Sequence, residues 1–134
     1  MKKFSIVLVL ALAVCTLAET SKKFPMTASS IVPAARGQVD VGKDKNGNVQ
    51  VNLKVEFLAN PQNLTPSASV YVVWLQELGG IAVNHGQLKM DKKLKASFET
   101  ITPFKSFDVF VTGEKDPNSK TPVGPEVLRT AVQP

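Results

Sequence analysis

The most constraining feature of this chain is a nine-residue run, 49–57, in which apolar and polar residues alternate strictly. The apolar members are Val49, Val51, Leu53, Val55 and Phe57. A side-chain period of two is that of a β-strand with one buried and one wet face, and no helix could bring these five side chains together. The run therefore predicts a strand in a sheet that packs one of its two faces against a core.

A hairpin is predicted just before this strand. Val39 and Val41 alternate with polar neighbours, and Asn46-Gly47 separates them from the run. Asn-Gly is the strongest short hairpin signal, because both central residues of a type I′ turn need positive φ. The sequence thus predicts two antiparallel strands joined by a type I′ turn.

Further strands are expected along the rest of the chain, separated by turns rich in proline, glycine and asparagine. They are expected at 70–78, 81–90, 94–99, 107–112 and 126–132. The first of these is apolar on both faces, which is typical of a central strand, and Gly86 in the second indicates a β-bulge. About seven strands and no helical period predict an all-β fold, a single antiparallel β-sandwich of immunoglobulin-like type, with a β-barrel as the alternative.

The first eighteen residues have the pattern of a secretory signal peptide: two lysines, an uncharged run too short to span a bilayer, and then Ala18. Thr16-Leu17-Ala18 fits ordinary signal-peptidase cleavage. The stretch 12–15 instead fits a lipobox that would leave Cys15 as a diacylated N-terminus, although Val14 is bulkier than such sites prefer. We expect an exported chain, periplasmic or secreted, attached to a membrane only if Cys15 is lipidated.

Three regions follow: a signal peptide at 1–18, a flexible tether at 19–35 and a β-sandwich domain at 36–134. The tether mixes lysine, proline and serine without a sustained period, so that we expect it to be extended or disordered apart from a short strand near Ile31. The 16 basic residues fall to 14 once Lys2 and Lys3 are removed, against 11 acidic ones. Because this excess is small and scattered, no nucleic-acid partner is expected.

Few side chains suited to catalysis are present. His85 is the only histidine, and we interpret it as a surface or strand-edge residue, since a catalytic triad or a metal site needs a partnered one. Glu114 and Asp116 could act as acid and base or hold Ca²⁺, but lysines nearby favour a solvated loop. The segment 44–48 has oxygen donors without the downstream glutamate of a calcium loop. We expect no enzyme, no metal and no cofactor.

The candidate interaction surface is drawn from one aromatic residue, Glu114 and two polar segments. Tyr71 and Trp74 are three residues apart and should face opposite sides of one strand. We expect one of them in the core and assign Tyr71 to a binding face. The lysine cluster of 89–95, which also suits a turn that protects an edge strand, and the loop 116–125 complete the surface. Its residues are Tyr71, Lys92, Lys93, Glu114, Asp116 and Lys120.

Three stretches resemble the C-terminal extracytoplasmic domain of the anti-sigma-K factor family. They are 71–75 (YVVWL), 107–114 (FDVFVTGE) and 121–128 (TPVGPEVL). The family domain has a Tyr-x-x-Trp-Leu-like strand, an x-Val-Thr-x-Glu strand and a Pro-Thr-Gly-Pro-like turn, which Val123 interrupts here. In place of the family's sigma-binding region and transmembrane helix, we expect a signal peptide and a tether here. The resemblance implies a free-standing secreted relative, a β-sandwich with an interaction or sensing role and no catalytic residues.

From these observations we expect an exported, non-enzymatic β-sandwich that acts as a binding or accessory module of the bacterial cell envelope. Its partner would be an envelope protein or a glycan. The alternative is a structural lipoprotein or surface component anchored through Cys15.

Overall fold

The computed structural model describes residues 21–133, and over this range the chain is all-β. Nine strands occur: β1 (Lys22–Pro25), β2 (Thr27–Ala28), β3 (Arg36–Lys43), β4 (Val49–Glu56), β5 (Val70–Glu77), β6 (Ala82–Leu88), β7 (Ala96–Thr102), β8 (Phe107–Glu114) and β9 (Glu126–Val132). The helical content of residues 21–133 is one 3₁₀ turn, Pro61–Asn63. No helix in that range has the length and apolar character needed to cross a bilayer.

The strands form two antiparallel sheets, ordered β1-β3-β4-β7 and β2-β9-β8-β5-β6. This confirms the predicted β-sandwich, with nine strands in place of about seven. Inward-facing side chains of both sheets form the main core, among them the fully buried Val39, Leu53, Val73 and Val111. The connectivity differs from that of an immunoglobulin domain. β3 and β4 are a hairpin within one sheet, whereas the second and third strands of an immunoglobulin domain belong to opposite sheets.

The inward-facing positions of β4 end at Val55, two residues before the predicted end at Phe57. Val51, Leu53 and Val55 point into the core. Phe57 lies beyond the strand with a φ of 57°, and its side chain is 52% exposed, while Leu58 is fully buried. A left-handed residue interrupts the extended geometry, so that the core position passes from Phe57 to Leu58.

The turn between β3 and β4 is not the predicted type I′ turn. Within 44–48 only Gly47 has a positive φ, 79°. The Asp44 carboxylate accepts the backbone N–H groups of Asn46 and Asn48 at 2.9 and 2.8 Å. This bonding favours an ordinary type I turn followed by one left-handed residue. Asn46 therefore keeps a negative φ, and Gly47 alone supplies the unusual conformation.

The segment 19–35 is not a tether in the part that the structure describes. β1 pairs with β3 in one sheet, and β2 pairs with β9 in the other. Ile31 lies in a turn rather than a strand. The sandwich therefore begins at Lys22, because the segment pairs with both sheets and packs Phe24, Met26 and Ala28 against the main core. The expected signal peptide, including Cys15, and residues 19 and 20 lie outside the described residues.

β5 is a central strand, as its two apolar faces predict, and it lies between β8 and β6. Val72 and Trp74, on the face away from the main core, are also fully buried. The predicted bulge in β6 is present. Adjacent residues of β5 pair with Gly86 and Asn84, so that His85 is the extra residue.

The sandwich has two ends. The proximal end carries the start of β1, the turns 44–48 and 78–81 and the segment 103–106. The distal end carries the longer connections: 29–35, the connector 57–69, the hairpin 89–95 and the loop 115–125. Residues near the distal end therefore have the most irregular backbone, which is where binding residues are most often found.

Candidate functional site

The six residues of the predicted interaction surface all lie at or next to the distal end, but they do not form one surface. Lys92 and Lys93 are exposed on the hairpin 89–95, and Asp116 and Lys120 are exposed on the loop 115–125. The other two are buried, and the structure corrects the prediction for them.

Tyr71 is 1% exposed and belongs to the main core. Its hydroxyl donates to the backbone oxygen of Ala59 at 2.7 Å, which fastens the connector 57–69 to β5. Burial raises the pKa of Tyr71 to about 12. Trp74 faces the opposite side of the sheet, as predicted, and both aromatic side chains are buried because each face of this sheet is covered.

Glu114 is also 1% exposed, and it binds the far end of the loop that follows it. Its carboxylate oxygens accept the backbone N–H of Val123 at 3.1 Å and that of Gly124 at 2.9 and 3.3 Å. The Thr112 hydroxyl donates to the same carboxylate at 2.6 Å. A buried carboxylate is costly unless such donors surround it. We call this set of bonds the Glu114 clasp.

The clasp continues onto the outer face of the five-stranded sheet. The indole N–H of Trp74 donates to Thr112 Oγ1 at 2.8 Å. The Trp74 ring is stacked on Phe110 with centroids 6.4 Å apart, and the Arg129 guanidinium lies 4.1 Å from the Phe110 centroid. A second apolar cluster is thus buried on the side away from the main core.

The loop 115–125 covers this second cluster. The Asn84 side-chain amide donates to the backbone oxygens of Pro117 and Ser119, both at 2.9 Å. Asn84 pairs with Trp74 across the β5–β6 ladder and shares its face. The loop consequently lies across the outer face of the sheet, held by Asn84 near its beginning and by the Glu114 clasp near its end.

The two loop carboxylates have separate structural roles. Glu114 is engaged in the clasp, and the exposed Asp116 accepts the backbone N–H of Asn118 at 2.9 Å. Glu114 is therefore not part of the solvated loop that the sequence suggested. Within residues 21–133 no group of three or more His, Cys, Asp or Glu side chains is placed to hold a metal ion.

His85 lies on β6, at the edge of its sheet, as predicted for a strand-edge histidine. Its Nδ1 is 2.9 Å from Oγ1 of Thr100 on β7, the edge strand of the other sheet. Burial lowers the pKa of the His85 imidazole below its usual value. The residue therefore links the two sheets along one side of the sandwich.

The hairpin 89–95 repeats the geometry of the turn 44–48. The Asp91 carboxylate accepts the backbone N–H groups of Lys95 and Lys93 at 3.0 and 2.8 Å. These bonds hold the pKa of Asp91 below its usual value, and the bond from the Lys95 N–H is the largest cause. Leu94 adopts the left-handed conformation, with a φ of 61°. The only carboxylate of the hairpin is thus directed at its own backbone, while its four lysines, Lys89, Lys92, Lys93 and Lys95, are exposed.

Two open clefts flank the hairpin 89–95. One of about 560 Å³ lies between the hairpin and the connector 57–69, and the other, of about 460 Å³, lies between the hairpin and the strands β4 and β7. The charged residues that line them are Lys54, Lys89, Lys92, Lys95, Glu56 and Asp91. Uncharged hydrogen-bonding groups on the larger cleft come from Asn60, Gln62, Ser69 and Gln87. The clefts combine a positive excess with neutral donors and acceptors.

Sequence reasoning missed these clefts because they form between segments far apart in the chain. The sequence shows that the hairpin is rich in lysine. It does not show that the connector 57–69 lies beside the hairpin, where the Tyr71 hydroxyl holds it through the backbone oxygen of Ala59. The apolar outer face at Val72 and Trp74 did carry a signal, since an apolar face on a central strand requires a cover.

A comparison with known protein families, with curated proteins and with solved structures finds no match to this chain. The similarity to the anti-sigma-K factor domain stays a prediction from the residues alone.

Proposed function

We propose that this chain is an exported, non-enzymatic binding module of the bacterial cell envelope that binds an anionic polysaccharide at its distal end. The observation that carries the proposal is the hairpin 89–95. It presents four exposed lysines between two clefts, and its one carboxylate is occupied by backbone N–H groups.

The charge balance of the clefts favours an anionic ligand. The second lining carboxylate, Glu56, has its Oε1 3.8 Å from Lys95 Nζ, and both side chains are about half exposed. Such a pair is held weakly and opens at little cost. Lysine ammonium groups are flexible point charges, which suits a polymer with repeated carboxylates better than one small anion in a fixed geometry.

The scaffold holds these clefts in place. The connector wall is fastened at Ala59 by the Tyr71 hydroxyl, and the hairpin wall is fastened by the Asp91 bonds and by the bridge between Met90 and Ala96. Preformed walls reduce the conformational entropy lost on binding.

A relationship to the anti-sigma-K factor domain is part of the proposal, and one contact supports it. The two later stretches that carry the resemblance meet in the Glu114 clasp, where Glu114 of one binds the N–H groups of Val123 and Gly124 in the other. The first stretch joins them through Trp74 and Thr112. Three separate motifs thus act as one structural unit, which is a reason for such motifs to occur together.

The experiment measures binding of the mature protein to immobilised polygalacturonate, with neutral dextran as the reference polymer. The protein is expressed as the full chain with Cys15→Ala and purified after export. We expect binding to polygalacturonate that weakens as salt is added, because exposed charges are screened. The double variant Lys92→Glu/Lys93→Glu should lower the affinity by about tenfold or more.

The matched control is Lys22→Glu/Lys23→Glu, the same change of charge on exposed lysines of β1. It should leave most of the affinity intact. Equal losses in the two double variants, equal binding to dextran, or no binding to polygalacturonate would each overturn the proposed site.

A surface component anchored through Cys15 is the second candidate. β1 starts at the proximal end, opposite the clefts, so that an anchor before Lys22 would leave the distal end accessible. Mass spectrometry of the mature N-terminus decides between a diacylated Cys15 and a chain that starts at Glu19.

A further inference from the structure

The turn between β5 and β6 presents the most exposed apolar pair of the described chain. Leu78 is 90% exposed and Ile81 is 82% exposed, on either side of Gly79-Gly80. Within residues 21–133 no sheet or loop covers them, although both are large aliphatic residues. An exposed aliphatic pair at the tip of a hairpin is costly in water and marks a surface that meets an apolar phase.

Several lysines share the proximal end with this tip. Exposed lysines there are Lys22, Lys23, Lys43, Lys45 and Lys105. Of the acids at this end, Glu77 is exposed. The other three are engaged: Asp44 with the backbone of its own turn, Asp40 with the Gln38 amide at 2.7 Å and Asp108 with Arg129 at 2.6 Å. Exposed aliphatic side chains that share one end of the molecule with exposed lysines match the interface of a bilayer that contains anionic lipids.

The chain also enters the sandwich at this end. Lys22 pairs with Val41 near the end of β3, so that β1 starts at the proximal end. Cys15 precedes Lys22 by seven residues, which span at most about 25 Å when extended. A lipid on Cys15, or a leader still in the membrane, would therefore hold the proximal end close to the bilayer.

We propose that the proximal end rests on an anionic membrane surface, with Leu78 and Ile81 inserted at the interface and the lysines of that end against the headgroups. This inference rests on the export proposed above, but not on the polysaccharide. It orients the molecule so that the lysine-bearing clefts face away from the bilayer. The sandwich then separates the distal end from the bilayer by the length of its strands, about 25 Å for eight residues.

The test measures binding of the Cys15→Ala mature protein to vesicles of phosphatidylglycerol and phosphatidylcholine, with pure phosphatidylcholine as the reference. Because this variant carries no acyl chain, any binding to the vesicles comes from the protein surface. We expect partitioning into the anionic vesicles and a loss of about tenfold in Leu78→Ser/Ile81→Ser. Val123→Ser is the matched control, because Val123 is 80% exposed but lies on the distal loop. It should bind as the unchanged protein does.

A second measurement does not depend on the serine variants. Cys15 is the only cysteine, so Ile81→Cys or Val123→Cys in the Cys15→Ala chain accepts one environment-sensitive fluorophore. The label at position 81 should become brighter and bluer with anionic vesicles, and the label at position 123 should not.

The outcomes separate the two proposals. Vesicle binding that survives Leu78→Ser/Ile81→Ser and is lost in Lys92→Glu/Lys93→Glu would overturn the orientation inferred here, and so would no binding to anionic vesicles. Vesicle binding through position 81 combined with no affinity for polygalacturonate would retain this inference and remove the proposed ligand.

Discussion

The carboxylate of Glu114 accepts the backbone N–H of Gly124 at 2.9 Å, across a loop of nine intervening residues. A Cβ built on Gly124 would overlap the carbonyl oxygen of Gly113, next to the same carboxylate. The bond therefore depends on a buried acid at one end of the loop and on a residue without a side chain at the other. Closing this loop buries Trp74 and gives the five-stranded sheet a second covered face.

Glu114→Gln should destabilise the protein. Glutamine has the same shape but offers one acceptor oxygen in place of two, and its amide would face backbone N–H groups that it cannot bond. We expect the free energy of unfolding to fall by about 2–3 kcal/mol, measured by urea denaturation followed through Trp74 fluorescence. Acrylamide should also quench the folded variant more readily.

The control for that change is Asp116→Asn, two residues on in the same loop but exposed. An asparagine oxygen can still accept the N–H of Asn118, so a change within about 0.5 kcal/mol is expected. If Glu114→Gln were as stable as Asp116→Asn, the clasp would not contribute to folding.

Gly124→Ala should be far more costly than Gly42→Ala. The new methyl group on Gly124 meets backbone of β8, so that the loop must move and the clasp bonds lengthen; we expect a loss of about 2 kcal/mol or more. At Gly42 the built Cβ has no heavy atom within 4 Å, and alanine there should be neutral or slightly stabilising. Urea midpoints of the two variants test this, and equal midpoints would contradict the close approach.

Tyr71 should not ionise in the folded protein until the pH is near its raised pKa of about 12. Because folding favours the neutral phenol, this contribution to stability is complete below the unfolded pKa of about 10 and is lost as pH rises from there towards 12. The chain has one tyrosine, so its ultraviolet absorption reports Tyr71 alone. A native titration that matched the titration in urea would contradict the burial.

Stability should fall as pH decreases below about 6.5, the unfolded pKa of histidine. The folded pKa of His85 is lower because burial disfavours the imidazolium. The unfolded chain therefore binds a proton first, and the loss continues until pH passes the folded pKa. Urea midpoints at several pH values should show a smaller fall in His85→Gln than in the unchanged protein. Parallel curves would indicate that His85 does not titrate differently on folding, and an NMR titration gives its pKa directly.

The strand assignments show which features of this fold the local pattern of apolar residues predicts. The period of two in β4 and the two apolar faces of β5 correctly predicted a strand with one buried face and a central strand covered on both faces, because a strand's side chains report which of its faces are covered. The prediction ended at Phe57, where a single left-handed residue shifts the inward face to Leu58. Nothing in the composition of 49–58 distinguishes these two outcomes, since both residues are apolar.

The N-terminal segment shows the opposite case, because its alternation is too short to predict a strand. Phe24, Met26 and Ala28 alternate with polar or proline neighbours and pack against the main core, but it is the pairing with β3 and β9 that joins the segment to both sheets. Backbone hydrogen bonds need no particular side chains, so an available sheet edge can order a segment that the sequence describes as a tether.

For the candidate site too, some features could be predicted from local sequence and others could not. The lysines of the hairpin 89–95 were visible as a local cluster, whereas the buried positions of Tyr71 and Glu114 were not. A tyrosine three residues from a tryptophan must face the other side of its strand, but what covers each side depends on segments elsewhere in the chain.

The sequence by itself determined an all-β sandwich, its central strand, its bulge and the lysine-rich turn, because each of these is specified by neighbouring residues and by the two-residue period of a strand. Only the tertiary structure decided that Glu114 closes a loop over Trp74, that two clefts flank the lysines, and that Leu78 and Ile81 share an end with the start of β1. These features join residues that are distant in the chain, and their positions depend on how two sheets pack rather than on any local pattern.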